Sequence, residues 1–224
     1  MVRMISYPEH DAVPVFVYDP HEHIQRYWLG GNFYEVQHRG LLNRVYVNHG
    51  PGLVYLDIGA SIGNHTVFFG EVMEAEHVYA VEPCPFSFSH LQANVGLQFD
   101  PSRYTLLHRA AGNSAGTVGI SQYGDGSNVG MKKIVEGNDV LMERIDDMLP
   151  DVRVDVVKID IEGYNMPALD GAVDLLRRCR PVVYIECPTM DDRNNADRFF
   201  REVGFSRCGE QMNHTATWEY RCLK

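Results

Sequence analysis

Cysteine is scarce and badly placed for pairing. The five residues Cys84, Cys179, Cys187, Cys208 and Cys222 are odd in number and contain no C-x-x-C pair. That argues against a zinc ribbon or a disulfide framework and leads us to expect reduced thiols in a cytoplasmic protein. Long apolar runs are missing too: no stretch approaches the roughly 20 residues of a spanning helix. The start, Met1 to Asp11, mixes Arg3, Glu9, His10 and Asp11 with few apolar residues, unlike the apolar stretch of a signal peptide. Basic charge is in short supply, with 20 Lys and Arg against 30 Asp and Glu, a net charge of −10. A surface that binds nucleic acid or anionic lipid wants a basic stripe, so neither partner is expected. Internal repeats and low-complexity stretches are absent as well.

What is present suits one globular domain. The chain has 224 residues, 45% of them hydrophobic and 22% charged, enough to bury a real core. Residues 1–50 are mixed in character: a short strand-like piece from Val13 to Tyr18, a short helix from His23 to Leu29, and an amphipathic helical pattern from Glu35 to Val47. They read as an N-terminal helical cover belonging to the same domain as residues 51–224. After Gly50-Pro51-Gly52, apolar strand-like runs (53–58, 77–82, 104–109, 154–159, 181–186) alternate with helical ones (64–73, 85–98, 140–149, 166–178, 191–203). Two strand-like runs, 205–209 and 216–222, close the chain. Alternation of this kind predicts an α/β fold with a doubly wound, mostly parallel sheet and one antiparallel strand at the end. The segment from Gly112 to Gly137 carries seven glycines and reads as a β-ribbon or a long loop framing a site.

In such a sheet the ligand lies beyond the carboxyl ends of the strands. The first core strand runs into Asp57-Ile58-Gly59-Ala60-Ser61-Ile62-Gly63-Asn64-His65. Gly59 and Gly63 allow a tight turn and close approach of a ligand to the backbone. Ser61 stands where a dinucleotide fingerprint wants a glycine, and there is no G-K-[ST] of a P-loop. The next strand ends in Glu82, about 20 residues past the glycine turn, where a carboxylate can accept both ribose hydroxyls. Together these features suggest a nucleoside ligand without a diphosphate, and S-adenosylmethionine fits because its cationic groups suit an acidic site.

The runs YLDIGASIGNHTVFF, VYAVEPCPFSFSHLQANVGL, VVKIDIEGYNMPALDGA and RPVVYIE resemble the FkbM-type S-adenosylmethionine-dependent methyltransferases. The likeness extends from about Phe33 to Glu186, with FYEVQHRGLL upstream and NVGM at Asn128 to Met131. The resemblance implies a class I methyltransferase fold of seven strands, the last one antiparallel. Carried over, it assigns Asp57, Gly59, Ala60, Ser61, Gly63 and Asn64 to the methionine and ribose part of the cofactor. Glu82 would hold the ribose hydroxyls, Pro83 would shape the wall beside the adenine, and Arg109 and Ala110 would border it. Tyr34 and Glu35 match an upstream family motif and would close over the cofactor. Two positions depart from the family pattern: Ser61 replaces an asparagine, and Asn165 replaces a glutamate after the D-x-E-G core.

Methyl transfer to a hydroxyl is an in-line displacement that needs alignment and a group to take the proton. The strand ending Lys158-Ile159-Asp160-Ile161-Glu162 brings such groups to the same sheet edge, and alternation places Lys158, Asp160 and Glu162 on one side. Asp160 is expected nearest the methyl as base or acceptor-orienting group, supported by Glu162 and Lys158; the plainer alternative is a structural Lys158–Glu162 ion pair. Glu186 is a second candidate on the acceptor side. No metal is expected, a cation between Asp160 and Glu186 being the lesser alternative. His65 and His214 read either as acceptor-side groups or as residues without a role, and His21, His23 and His38 show no ligand spacing. Trp28, Phe33 and Tyr34 read first as packing of the N-terminal segment. The expected activity is O-methylation of a small molecule or glycan, of sugar or polyketide type. The rival reading is a non-catalytic nucleotide-binding scaffold that keeps the fold; a dinucleotide-dependent oxidoreductase is disfavoured by Ser61. A homo-oligomer is compatible with the sequence.

Overall fold

The computed structural model describes residues 1–121 and 132–222. The N-terminal segment is less helical than its pattern predicts. An antiparallel ribbon of β1 (Val2–Ile5) and β2 (Val13–Phe16) precedes two short helices, α1 (His23–Leu29) and α2 (Leu41–Asn48). The expected helix from Glu35 to Val47 is confined to α2 because Glu35 sits at φ 65° and turns the chain out of helical geometry. Glu22 caps α1 by accepting from the Gln25 N–H. Trp28, Phe33 and Leu42 are fully buried in one cluster with Tyr55, Phe68 and Phe69 of the sheet domain, so this segment contributes to the core.

The sheet domain then alternates as expected: β3 (Val54–Ile58), α3 (Asn64–Val67), β4 (His77–Val81), α4 (Pro85–Gly96) and β5 (Tyr104–Leu107). Past α3 the helix widens over Phe68–Val72, where the Met73 N–H reaches the Phe68 carbonyl. The glycine-rich segment emerges as β structure at its described ends: β6 (Ala110–Ala111), β7 (Gly116–Ile120) and β8 (Ile134–Glu143) form a separate three-stranded sheet in the order β6-β8-β7. The helical reading of residues 140–149 is therefore corrected. Pairing with β7 as far as Met142 and with β6 at Glu143 claims the chain, leaving only the single turn α5 (Ile145–Met148). There follow β9 (Val156–Ile159), α6 (Asn165–Asp170), α7 (Val173–Cys179), β10 (Val182–Glu186), α8 (Met190–Glu202), β11 (Phe205–Met212) and β12 (Thr217–Cys222).

Seven of these strands form one sheet in the order β11-β12-β10-β9-β3-β4-β5, in which β12 runs antiparallel to both neighbours. The expected seven-stranded α/β sheet with an antiparallel last strand is present. Alternation along the central strands feeds two apolar layers: Tyr55, Val156 and Tyr184 pack into one, Leu56, Val157 and Val183 into the other. Strand order reverses between β3 and β9, so their carboxyl ends frame the crevice where this architecture receives a ligand. Among the described residues, no helix is long and apolar enough to cross a membrane.

Candidate active site

The turn after β3 is shaped by backbone that favours missing side chains. Gly59 (φ 81°), Ser61 (φ 51°) and Gly63 (φ 100°) all adopt left-handed conformations. A Cβ on Gly59 would lie 2.0 Å from the Asp160 carbonyl oxygen, so the two loops at the switch point touch backbone to backbone. Beneath them Lys158 is paired in register with Asp57 on the neighbouring strand, its ammonium 3.2 Å from Oδ1. It donates to the Gly59 carbonyl at 2.7 Å and lies 3.7 Å from Asp160. Burial opposes its charge, but Asp57 and Asp160 outweigh that, and the ammonium is held above its ordinary pKa. The alternative of a Lys158–Glu162 ion pair is not what forms: Asp57 and Asp160 take the lysine.

Glu82 lies at the end of β4, beside the turn. Its Oε2 accepts from the Ser61 N–H at 2.8 Å and its Oε1 from the Cys84 N–H at 2.7 Å. Burial pushes this carboxyl up to about 7, against the pull of the two donors and Lys158. Each oxygen keeps a further lone pair, and Glu82 lines a narrow cleft with Pro83, Cys84, Ile134 and Ile161.

Gly59, Ser61, Asp160 and Glu162 also border a second, larger cavity of about 650 Å³. The N-terminal segment contributes Tyr34 and Glu35, and the last loop contributes His214. Asn64 ties the cover to the glycine turn: Oδ1 accepts from Trp28 Nε1 (3.1 Å) and the Tyr34 N–H (3.0 Å), while Nδ2 donates to the Tyr34 carbonyl (3.1 Å). Glu186, ending β10, faces Asp160; burial first, then the charge of Asp160 and a hydrogen bond shared with it, raise its pKa. Burial and Asp160 also raise Glu162, with Lys133 opposing. Asn165, the departure from the family pattern, accepts from the Ile161 N–H (2.9 Å) and donates to the Glu186 carbonyl (2.7 Å). It thereby holds the Asp160 loop and the end of β10 together.

Most of the expected residues converge, some beneath the surface of the site and some outside it. Asp57 and Gly63 support the turn from below: Thr66 Oγ1 donates to Asp57 Oδ2 at 2.7 Å, and a Cβ on Gly63 would meet Leu91 at 2.9 Å. Arg109 and Ala110 line neither cavity, a correction. Because β5 stops at Leu107, Arg109 swings to Glu143 (3.1 Å) and Ala110 is buried in the β6–β8 pairing. His108, between the strand and Arg109, bonds the Pro83 carbonyl at 3.1 Å. Asn128 to Met131 fall outside the described residues. Trp28 and Phe33 are packing residues, as first read, whereas Tyr34 lines the cavity. Sequence reasoning missed His23, Tyr27, Asn213 and Thr215 in the lining, and the pairing of His65 with Glu35 at 2.9 Å. Contacts between residues thirty positions apart leave no local pattern to find.

Residues 57–209 match the family described as the methyltransferase FkbM domain. Among solved structures, methyltransferase FkbM from Methylobacillus flagellatus KT aligns with a TM-score of 0.53 and 20% identity, covering 76% of this chain and 43% of its own. The chain thus spans less than half the length of that protein. Precorrin-6y C5,15-methyltransferase from Geobacter metallireducens GS-15 aligns at 0.50 and 15% identity, covering 86% and 94%. A protein of the NADB-Rossmann superfamily from Streptococcus agalactiae aligns at 0.54 and 11% identity, covering 82% and 68%. At these identities the likeness is one of fold. No curated protein matches the sequence significantly.

Proposed function

The chain belongs to the FkbM methyltransferase family, and we propose that it transfers a methyl group from S-adenosylmethionine to a hydroxyl of a small molecule or glycan. The observation that carries this reading is the meeting of the Gly59–Gly63 turn with Glu35, Asp160, Glu162 and Glu186 around one cavity. Its volume of about 650 Å³ suits a ligand of drug-like size. The residues also fit the cofactor: Gly59 lets the turn close onto the Asp160 backbone at the cavity edge, Ser61 Oγ is buried without a hydrogen-bond partner among the described residues, and the acidic lining suits cationic groups.

When bound, S-adenosylmethionine supplies a methyl carbon activated by a sulfonium. Gly59, Ala60, Ser61 and Asn64 would hold its methionine and ribose part, and Glu82 with Pro83 its adenosine part. Asp160, held by Lys158 and facing Glu186, would orient the acceptor hydroxyl by hydrogen bonding. Four carboxylates around the cavity disfavour a phosphorylated acceptor, and the net charge of −10 disfavours nucleic acid. Neutral polyhydroxylated acceptors suit such a lining.

Calorimetry with S-adenosylmethionine, S-adenosylhomocysteine and NAD, followed by transfer of tritiated methyl to a panel of sugars, oligosaccharides and polyols, tests the proposal. Binding of the first two with micromolar-range affinity and label on a hydroxyl are expected, with Asp160→Ala losing transfer and keeping binding. Preference for NAD would overturn the cofactor; label on RNA but on no member of the panel would overturn the acceptor.

A further inference from the structure

Resting on the methyl-transfer reading, we infer that His65, oriented by Glu35, is the base that takes the proton of the acceptor hydroxyl. His65 is the second residue of α3, directly after the glycine turn, and is 6% exposed; Glu35, on the N-terminal segment, is 8% exposed. Their side chains meet at 2.9 Å between Nε2 and Oε2. Burying an imidazole and a carboxylate is costly unless they satisfy each other. The chain around Glu35 is bent to make the meeting happen. Glu35 adopts φ 65°, its carbonyl accepts from the Leu42 N–H at 3.1 Å, and a Cβ on Gly40 would lie 2.1 Å from that same oxygen. A left-handed glutamate held this tightly, beside a ligand cavity, is backbone strain placed where a function uses it.

The pairing leaves the other ring nitrogen free. Among the described residues Nδ1 of His65 has no hydrogen-bond partner and is not sealed in the interior, and the open space that His65 borders is the large cavity. A carboxylate accepting from Nε2–H fixes the tautomer and presents the lone pair of Nδ1 to a substrate. Glu35 faces the imidazole from the cover. Asp160 and Glu186 lie on the same cavity from the strand ends, with Lys158 below them and Tyr34 beside Glu35. On its own helix the ring neighbours Phe69, whose centroid is 6.3 Å away. Asp160 is already engaged by Lys158 and Glu186 and suits orientation better than proton uptake. An imidazole is the side chain best matched to base work near neutral pH.

In the step, the acceptor oxygen bonds to the methyl carbon as the carbon–sulfur bond breaks, its electron pair staying on sulfur to leave a neutral thioether. The hydroxyl proton passes to Nδ1, and the imidazolium so formed is neutralised by Glu35. Glu35 is the positioning residue, acting through His65.

Nitrogen-15 histidine labelling of the full chain, with S-adenosylhomocysteine bound, tests the geometry without an acceptor; the His65 signals are those missing from His65→Gln. At mildly alkaline pH the expected result is a protonated Nε2 and a bare Nδ1. An imidazole carrying both protons there, or one protonated on Nδ1 alone, would overturn the inference. With the best acceptor from the panel, His65→Gln should lower kcat roughly 100-fold or more and remove the acid limb of the kcat/KM profile, with cofactor binding intact. Glu35→Gln should lower kcat with little change in KM, and Glu35→Asp should restore part of the loss. A His65→Gln enzyme with the parent rate and profile would overturn the assignment. Failure of the parent protein to bind S-adenosylmethionine would instead sink the methyl-transfer reading on which it rests.

Discussion

Lys158 and Asp57 face each other in register across two neighbouring parallel strands, with charged atoms 3.2 Å apart and side chains only 3% and 0% exposed. The pair lies directly under the glycine turn, and Lys158 also donates to the Gly59 carbonyl. It therefore fixes the floor of the site and, through Asp160, one of its walls.

Removing one member should expose how much the floor depends on the other. Lys158→Met leaves Asp57 buried with Thr66 Oγ1 as its remaining side-chain donor among the described residues. An uncompensated buried charge costs about 3–5 kcal/mol, and urea unfolding should show a loss of that order. Adding Asp57→Asn removes the stranded charge and should recover most of it. A single variant within about 1 kcal/mol of the parent would mean that the pair contributes little to stability.

Glu82 makes stability pH-dependent in an unusual direction. Its folded pKa, about 7, is raised above the reference value of 4.5. The folded state therefore holds a proton that the unfolded state has released. The stability from this group is fully present below about 4.5 and is lost as pH rises through about 7, to the extent of roughly 3 kcal/mol. Glu82→Gln cannot ionise, so its stability should fall less steeply with rising pH, and the difference between the two proteins should shift in favour of the variant by up to that amount. Glu162 and Glu186 are raised in both proteins and cancel in the comparison. Parallel stability curves from denaturant titrations across this range would show that Glu82 does not titrate there.

The contrast between what sequence patterns reveal and what they hide follows the range of the interactions. The glycine turn, Glu82 and Asp160 are written locally: each ends a buried strand, and strand ends at a switch point converge in this architecture. Residues 140–143 carry helical spacing but lie in β8, since pairing with β7 overrides local preference. A turn of only two residues after β5 carries Arg109 away from the line of the strand and onto Glu143. The Glu35–His65 contact depends on a left-handed backbone at Glu35 that no glycine announces. Asn165 lacks the charge of the family's glutamate, yet it bridges two acid-bearing loops, a role visible only once both are in place.

Asn64 offers the sharpest test of how the N-terminal segment is fastened over the site. One amide receives the Trp28 indole N–H and the Tyr34 backbone N–H, and gives its own N–H to the Tyr34 carbonyl. Trp28 and Asn64 are at most 1% exposed, so Asn64→Ala strands a buried indole donor that water cannot reach. Each stranded buried group costs about 1–3 kcal/mol; the variant should lose about 3 kcal/mol in urea unfolding. Because Tyr34 and Glu35 share this anchor, amide hydrogen exchange over residues 23–35 should accelerate more than exchange in β3 or β9. Equal exchange in the alanine variant and the parent would show that apolar packing of Trp28 and Phe33, rather than the amide, holds the cover in place.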